Sequence, residues 1–505
     1  MADILQAAQA VFALQTLIFI IIGVAVGIVF GAVPGLTAVM AVALFLPVTY
    51  GMDPGVGISI LMALYIGATS GGLISAILLK IPGTPSSVAT CFDGHPMLDK
   101  GEGPKALGVG IVFSFLGTIV SVLALMLIAP KLASIAIKFG PHEYFAIAVF
   151  SLTLIATLSC KSMVKGIFAG VLGFAFATVG IAPVDATIRY TFGTTQLKAG
   201  FTTLTVLIGL FAISEVIKTA EKAKQKNEMK VAQVSMKKIK GFGFSLKEFK
   251  DQVPNGILSA IVGIAIGILP GIGSGTSNIV AYTVSKKRSK RGELYGTGII
   301  DGIVASETSN NAGIGGALIP LMTLGIPGDA VTAILLGGFM IHGIQPGPLL
   351  FINNSVLVYT IFIAMFVAAI AMLVLEFYGL RIFTRLLNVP KHLLLPIIFV
   401  LCVVGAFGIN SRVFDVWTIV LFGLLGYMFY RFDVPNAPFI MGFILGPMAE
   451  TNFRRGLMLS NGEFRGFIAN PISGLFLLLA VGSILWTVFG SYREKKKQIC
   501  VSNLS

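Results

Sequence analysis

Glycine, proline, hydroxyl and amide residues gather at four points inside otherwise apolar sequence, and the chemistry open to such clusters is ion binding by exposed backbone. Pro34-Gly35-Leu36-Thr37 and Pro270-Gly271-Ile272-Gly273-Ser274-Gly275-Thr276-Ser277-Asn278 interrupt long apolar stretches. So do Pro82-Gly83-Thr84-Pro85-Ser86-Ser87 and Pro327-Gly328-Asp329. Proline removes a helical hydrogen bond, and glycine tolerates the backbone angles that follow. The N-terminus of a broken helix presents N–H donors and partial positive charge, which suit a carboxylate; its C-terminus presents carbonyls, which suit sodium or a proton-bearing water. Pro34, Gly35, Thr37, Gly83, Thr84, Ser86, Ser87, Gly273, Ser274, Gly275, Thr276, Asn278, Pro327 and Gly328 are therefore the candidate substrate-binding residues, for an anionic substrate.

A second set suits a cation. Thr69-Ser70 and Thr308-Ser309-Asn310-Asn311 place hydroxyl and amide oxygens on apolar segments, and Asp329 adds a carboxylate. Glu307 and Asp301 lie close by; acids within a membrane are functional by default, though both also suit a water interface. Plainer readings stay open beside each motif: a proline kink, a solvated turn, polar contacts between helices, and for Asp329 a helix N-cap.

Other chemistries lack their residues. Cys91, Cys160, Cys402 and Cys500 form no Cys-x-x-Cys pair, and His95, His142, His342 and His392 have no metal-ligand spacing. No Ser–His–Asp set, His-Glu-x-x-His or phosphate loop is present, so neither an enzyme nor a resident cofactor is expected. Without an ATP motif, energy must come from an ion gradient or a partner. Asp185 with Arg189 is expected to be a surface pair, and Asp93, His95, Asp99, Lys100, Glu102 and Lys105 a solvated loop.

The elements that must hold these clusters are membrane helices. Of 505 residues, 56% are hydrophobic and 11% charged, against about 25% charged in soluble domains. Uncharged windows at 11–52, 106–130, 355–375 and 467–492 are long enough to cross the about 30 Å of a bilayer core. The first ten residues carry Asp3 and no Lys or Arg, against a secretory signal and for a retained first helix. The net charge of +14 sits in short basic runs at 218–250, 286–291 and 493–497, which mark cytoplasmic loops and anionic-lipid contacts rather than nucleic-acid binding.

The chain also repeats itself. Gly27-Ile-Val-Phe-Gly-Ala-Val-Pro-Gly35 is answered by Gly263-Ile-Ala-Ile-Gly-Ile-Leu-Pro-Gly271, Thr69-Ser70 by Thr308-Ser309, and Ile81-Pro82-Gly83 by Ile326-Pro327-Gly328, at separations of 236, 239 and 245 residues. Matched interruptions in two halves point to a transport site at their interface. The expected fold is all-α and polytopic, with two inverted-topology repeats (11–215 and 253–490), a Lys-rich cytoplasmic linker (216–252) and a cytoplasmic tail (491–505). About 12 transmembrane segments are expected, with broken or re-entrant helical hairpins.

Gly31-Ala32-Val33-Pro34-Gly35-Leu36-Thr37, Ile81-Pro82-Gly83-Thr84-Pro85-Ser86-Ser87, Pro270-Gly271-Ile272-Gly273 and Gly325-Ile326-Pro327-Gly328 together resemble the large membrane subunit of tripartite tricarboxylate transporters, the TctA family, over residues 15 to 490. The resemblance implies a permease of the bacterial inner membrane. It implies two protein partners, a small integral-membrane subunit and a periplasmic solute-binding protein that delivers a carboxylate such as citrate. It implies coupling to a cation gradient, sodium in the first place and protons as the alternative, and elevator-type motion. Thr37, Thr84, Ser86 and Ser87 then fall in one half-site, and Ser274, Thr276, Asn278 and Gly328 in the other; the unlike residues Thr84–Ser87 and Asp329–Thr332 weigh against a symmetric site. A stand-alone ion-coupled carboxylate symporter is the alternative, followed by an intramembrane enzyme built on Glu307, Asp301 and Asp329, and by a passive channel.

Overall fold

The computed structural model describes residues 2–158, 162–222, 242–386 and 391–502. The middle of the expected linker, 223–241, and Cys160 lie outside the described residues. The chain is helical almost throughout. In order come α1 (Ala2–Phe12), α2 (Leu14–Ala32), α3 (Ala38–Phe45), α4 (Pro54–Leu79), α5 (Thr90–Asp99), α6 (Gly103–Ala136), α7 (Pro141–Leu158) and α8 (Met163–Ala177). A two-stranded ribbon, β1 (Gly180–Ile181) with β2 (Ile188–Arg189), follows. Then come α9 (Thr203–Leu207), which runs through a π-helical turn into α10 (Ser214–Lys222), α11 (Leu246–Ile268), α12 (Gly273–Arg288), α13 (Ile300–Leu324), α14 (Ala330–Ile341), α15 (Leu350–Asn353) and α16 (Ser355–Leu386). The last are α17 (Lys391–Asn410), α18 (Val413–Arg431), α19 (Asn436–Leu459), α20 (Arg465–Ala469) and α21 (Pro471–Ser502).

Among the described residues, seven helices are long and apolar enough to cross a membrane, and shorter apolar helices accompany them. The chain is a multi-pass membrane protein. The expected linker is helical at both ends, since α10 and the start of α11 fall within it, and α21 carries the helix into the expected tail.

The contacts divide the chain into two units that do not follow the sequence halves. One holds 1–137 and 204–427, the other 138–203 and 428–505. In the first, α4 and α13 are buried on all sides, α13 from Asp301 to Thr323. A helix walled off by protein has no need of an apolar surface, which is why α13 tolerates Glu307, Thr308, Ser309, Asn310 and Asn311 at membrane depth. In the second unit, α7, α8, α19 and α21 pack together, with Phe145, Phe453, Phe464 and Phe467 stacked edge and face. Arg189 there holds Glu450 with both terminal nitrogens, at 2.6 and 3.1 Å, and Arg454 reaches Asp185 at 2.7 Å. Asp185 and Arg189 thus take separate partners rather than each other. The bonds from Arg454 and Thr187 pull the exposed Asp185 carboxyl down to about 2.

Two of the close crossings in the first unit match each other. A side chain on Gly31 of α2 would place its Cβ 3.0 Å from the Gly72 nitrogen of α4; one on Gly267 of α11 would lie 3.1 Å from the Ala317 nitrogen of α13. Small residues let backbones approach where lipid supplies no hydrophobic drive. Gly27 likewise meets Leu64, and Gly263 meets Ser309. The second helix of each crossing therefore matches at a constant separation of 245 residues, the separation of Ile81-Pro82-Gly83 from Ile326-Pro327-Gly328. The expected pairing of Thr69-Ser70 with Thr308-Ser309, at 239, is corrected: the packing sets Thr308 opposite the place of Ala63, not Thr69. Close approach fixes the small residues, and nothing in the crossing requires the hydroxyls to keep register.

Candidate functional site

Both buried helices end the same way. Lys80 and Gly325 close α4 and α13 in the left-handed region, at φ 57° and 71°. The chain turns through Ile81-Pro82-Gly83 or Ile326-Pro327-Gly328 and starts a new helical segment with a reciprocal cap. Thr84 and Ser87 exchange side-chain and backbone bonds, and so do Asp329 and Thr332. The residues that differ between the halves thus do one local job, satisfying the first N–H groups of the next helix. Gly83 lies against the Gly31 carbonyl, and a Cβ on Gly328 would come 2.7 Å from the Gly267 carbonyl, so each turn rests on its own crossing.

Three of the four sequence-marked interruptions meet. The Gly271 N–H donates to the Gly328 carbonyl at 2.7 Å. A Cβ on Gly273 would stand 2.8 Å from the Asp329 Cβ, and one on Gly275 would touch Pro85 at 3.6 Å. The Asn278 amide donates to the Ser86 carbonyl. Thr84 and Ser86 share a hydroxyl bond at 2.8 Å, and Tyr65 of α4 donates to Asp329 at 2.5 Å. Thr84, Ser86, Asn278 and Asp329 are all buried. Ser274 and Thr276 are half-buried on the first turn of α12, and Pro327 is buried in the turn before Asp329.

The fourth interruption sits elsewhere in the same unit. Thr37 caps α3 by accepting from the Met40 N–H at 3.2 Å. Pro34 and Gly35 line a small cleft with Glu215 and Thr219 of α10, the Thr219 hydroxyl 3.7 Å from where a Gly35 Cβ would be.

Capping distinguishes the meeting helix starts. Asp329 caps α14, and Thr84 caps the turn that leads to α5; α12 begins at Gly273 with no side-chain cap. Its first N–H groups, on Gly273, Ser274 and Gly275, are the ones among the three starts that no side chain caps, in a wall with no Cβ at two of three positions.

The cation candidates on α13 diverge, because consecutive helical residues point about 100° apart. Asn310 faces α4 and donates to the Thr69 carbonyl at 3.4 Å. Asn311 and Thr308 face α6, where Thr118 and Gly117 lie. Ser309 faces α11 and α12, its carbonyl accepting from Ser277 at 3.4 Å. Asp329 belongs to the cap. Ser70 instead donates to Glu376 of α16 at 2.8 Å, and Glu307 accepts from Thr90 at 2.5 Å and Ser114 at 3.0 Å. Sequence reading passed over Glu376, Tyr65 and Ser114. Glu376 did carry a signal, as the sole acid in the apolar run of α16, just past the window that ends at 375.

The expected solvated loop at 93–105 is corrected in part: Asp99, Lys100 and Glu102 are exposed, but Asp93 and His95 lie on α5, and Asp93 is fully buried. Its Oδ1 accepts from the N–H groups of Gly296, Gly298 and Ile299 at 2.8 to 3.1 Å, and its Oδ2 from Tyr282 at 2.8 Å. Four donors explain the burial: the carboxylate staples α5 to the turn between α12 and α13. Asp301 is likewise nearly buried and paired with Arg291 at 2.7 Å. Asp93→Ala would strand three N–H groups and a phenol, at a cost on the order of 3–5 kcal/mol. Trypsin should then cut the basic run at 286–291 many times faster in the variant than in the parent, with Asp93→Asn in between.

A helical multi-pass protein with a buried, glycine-rich meeting of interrupted helices has the architecture of a membrane permease. The chain belongs to the tripartite tricarboxylate transporter TctA family, whose sequence profile matches residues 17–441. It is 32% identical to an uncharacterized 52.8 kDa protein in the TAR-I ttuC' 3' region of Agrobacterium vitis, over 96% of this chain and 95% of that one. It is 33% identical to an uncharacterized protein in the TAR-II ttuC' 3' region of the same organism, over 48% of this chain and 100% of the relative. No solved structure matches it.

Proposed function

We infer that this chain is the permease subunit of a cation-driven carboxylate uptake system. In this reading it sits in a bacterial inner membrane beside a small membrane subunit, and a periplasmic capture protein hands it a tricarboxylate or a related acid. The observation that carries the reading is the uncapped start of α12, walled by Gly273 and Gly275 and set against Pro85, Ser86 and Asp329 inside the protein. An anion is stabilised there by free N–H groups and the helix dipole, with no arginine needed. The two matched crossings, each leading to the same turn and cap, support a duplication, and the basic linker between halves whose starts differ in charge favours its inversion; the division into two separately packed units supports motion of the elevator type.

Proteoliposomes test it. Labelled citrate should accumulate inside when an inward sodium or proton gradient, the small subunit and the capture protein are all supplied. Uptake by this chain alone, at the full rate, would establish the stand-alone symporter instead, and uptake indifferent to any gradient would leave a passive pore.

A further inference from the structure

Among the described residues, one carboxylate of the first unit keeps a fully buried oxygen that has no hydrogen-bond donor. Asp329 accepts from the Thr332 N–H, the Thr332 hydroxyl and Tyr65. Asp93 has four donors, Asp301 has Arg291, and Glu307 has Thr90 and Ser114. Glu376, with no exposed surface, has the Ser70 hydroxyl on Oε2 and nothing on Oε1. The adjoining residue of α4, Thr69, accepts from the Asn310 amide, and the Asn310 Oδ1 is likewise buried without a donor. The amide cannot simply be flipped: the groups facing it, the Thr69 carbonyl and the Glu307 carboxylate, accept only, so the nitrogen must lie toward them and the oxygen away.

We propose that Glu376 and Asn310, brought together by Thr69 and Ser70 on α4, form a buried binding site for one monovalent cation. Both open atoms are oxygen acceptors; their partners on α4 are consecutive residues, and Glu307, which the Asn310 amide also bonds, lies within electrostatic reach of Glu376. A buried acceptor with no donor is costly, and a buried carboxylate with no positive partner is more so. Among the described residues neither Glu376 nor Glu307 carries an ion pair, and the two carboxylates lie within electrostatic reach of each other. One positive charge removes both penalties. Hard cations take carboxylate, amide and backbone-carbonyl oxygens, which is the set present here. Sodium and a proton would each supply that charge. Three helices from distant parts of the chain (α4, α13 and α16) supply the oxygens, so occupancy ties them together. Three of the seven residues marked by sequence, Thr69, Ser70 and Asn310, remain in this site; the residue that bears the charge is one the motifs do not mark.

The proposal rests on the cation-driven part of the reading above, but it is tested without transport. The full chain in detergent is unfolded by heat in sodium chloride and in N-methylglucamine chloride at equal ionic strength, across the neutral pH range. If sodium is the occupant, it raises the unfolding temperature of the parent saturably, and Glu376→Gln weakens its apparent affinity at least about tenfold. If the proton is the occupant, sodium has no effect, the parent loses stability as pH rises, and Glu376→Gln makes that profile flat. Glutamine keeps an acceptor for Ser70, so the variant should fold. Should it not, Asn310→Ala carries the same comparison. Variants that keep the parent's sodium and pH responses overturn the site. Because no carboxylate, capture protein or gradient enters the assay, failed citrate uptake would leave this result standing. Intact gradient-driven uptake by Glu376→Gln would overturn the site as the coupling site while sparing the transport reading.

Discussion

Asp329→Ala should collapse uptake by more than about tenfold and destabilise the first unit by on the order of 3 kcal/mol. The carboxylate caps α14 through the Thr332 N–H at 2.8 Å and receives the Tyr65 hydroxyl at 2.5 Å. Removing it strands both donors in a place water does not reach, and the Asp329 Cβ is also what packs against Gly273 at the start of α12. Asp329→Asn should behave differently. Asparagine is an equally good N-cap, and its amide can donate to the Tyr65 oxygen once that hydroxyl turns. Uptake within about threefold of the parent, with the cation dependence unchanged, is expected for the amide. Loss of cation dependence in Asp329→Asn, with the fold intact, would instead make the charge itself the requirement and Asp329 an ion ligand. Thermal unfolding and uptake measured on the same preparations separate the two.

Gly267→Val should be strongly damaging although it touches none of the polar residues. A Cβ at 267 would stand 2.7 Å from the Gly313 carbonyl and 3.0 Å from the Gly316 Cα, and both are backbone of a helix buried on all sides. Neither can yield without separating α11 from α13. The Gly267 carbonyl is also the seat of Gly328, so the displacement reaches the Gly271–Gly328 bond and the turn proposed to bind the anion. Overpacking of this kind costs roughly 1–3 kcal/mol or more, and uptake should fall with it. Gly337→Ala on α14 is the matched control. Nothing lies within 4 Å of its Cβ, and alanine favours the helix by about 1 kcal/mol, so unfolding in detergent should move slightly upward. A Gly267→Val protein as stable as the parent would mean that the crossing is looser than these distances.

The duplicated interruptions were legible because proline and glycine act on the backbone where they stand. Pro34, Pro82, Pro270 and Pro327 each fall at a helix break, and the basic run at 286–291 does follow a hairpin, α11 with α12. Side-chain partners were not legible in the same way. Asp93 reads as loop because its neighbours Gly94, His95 and Pro96 are loop-like, and only the return of the chain at 296–299 supplies the donors that bury it. Asp185 beside Arg189 reads as a pair on spacing, yet each finds a stronger partner on α19.

By itself, the sequence determined that the chain crosses a membrane, that its helices break at matched places, and that the breaks carry groups fit for an anion. Those are consequences of composition and local backbone chemistry, which act within a few residues. The tertiary structure decided which of the helix starts stays uncapped, that the cation candidates on α13 face three different neighbours, and that Glu376 and Asn310 bond to consecutive residues of α4. Such facts depend on where helices distant in the chain cross, and a crossing is set by small residues packing against backbone, a constraint that leaves no trace in the identity of the polar residues it brings together.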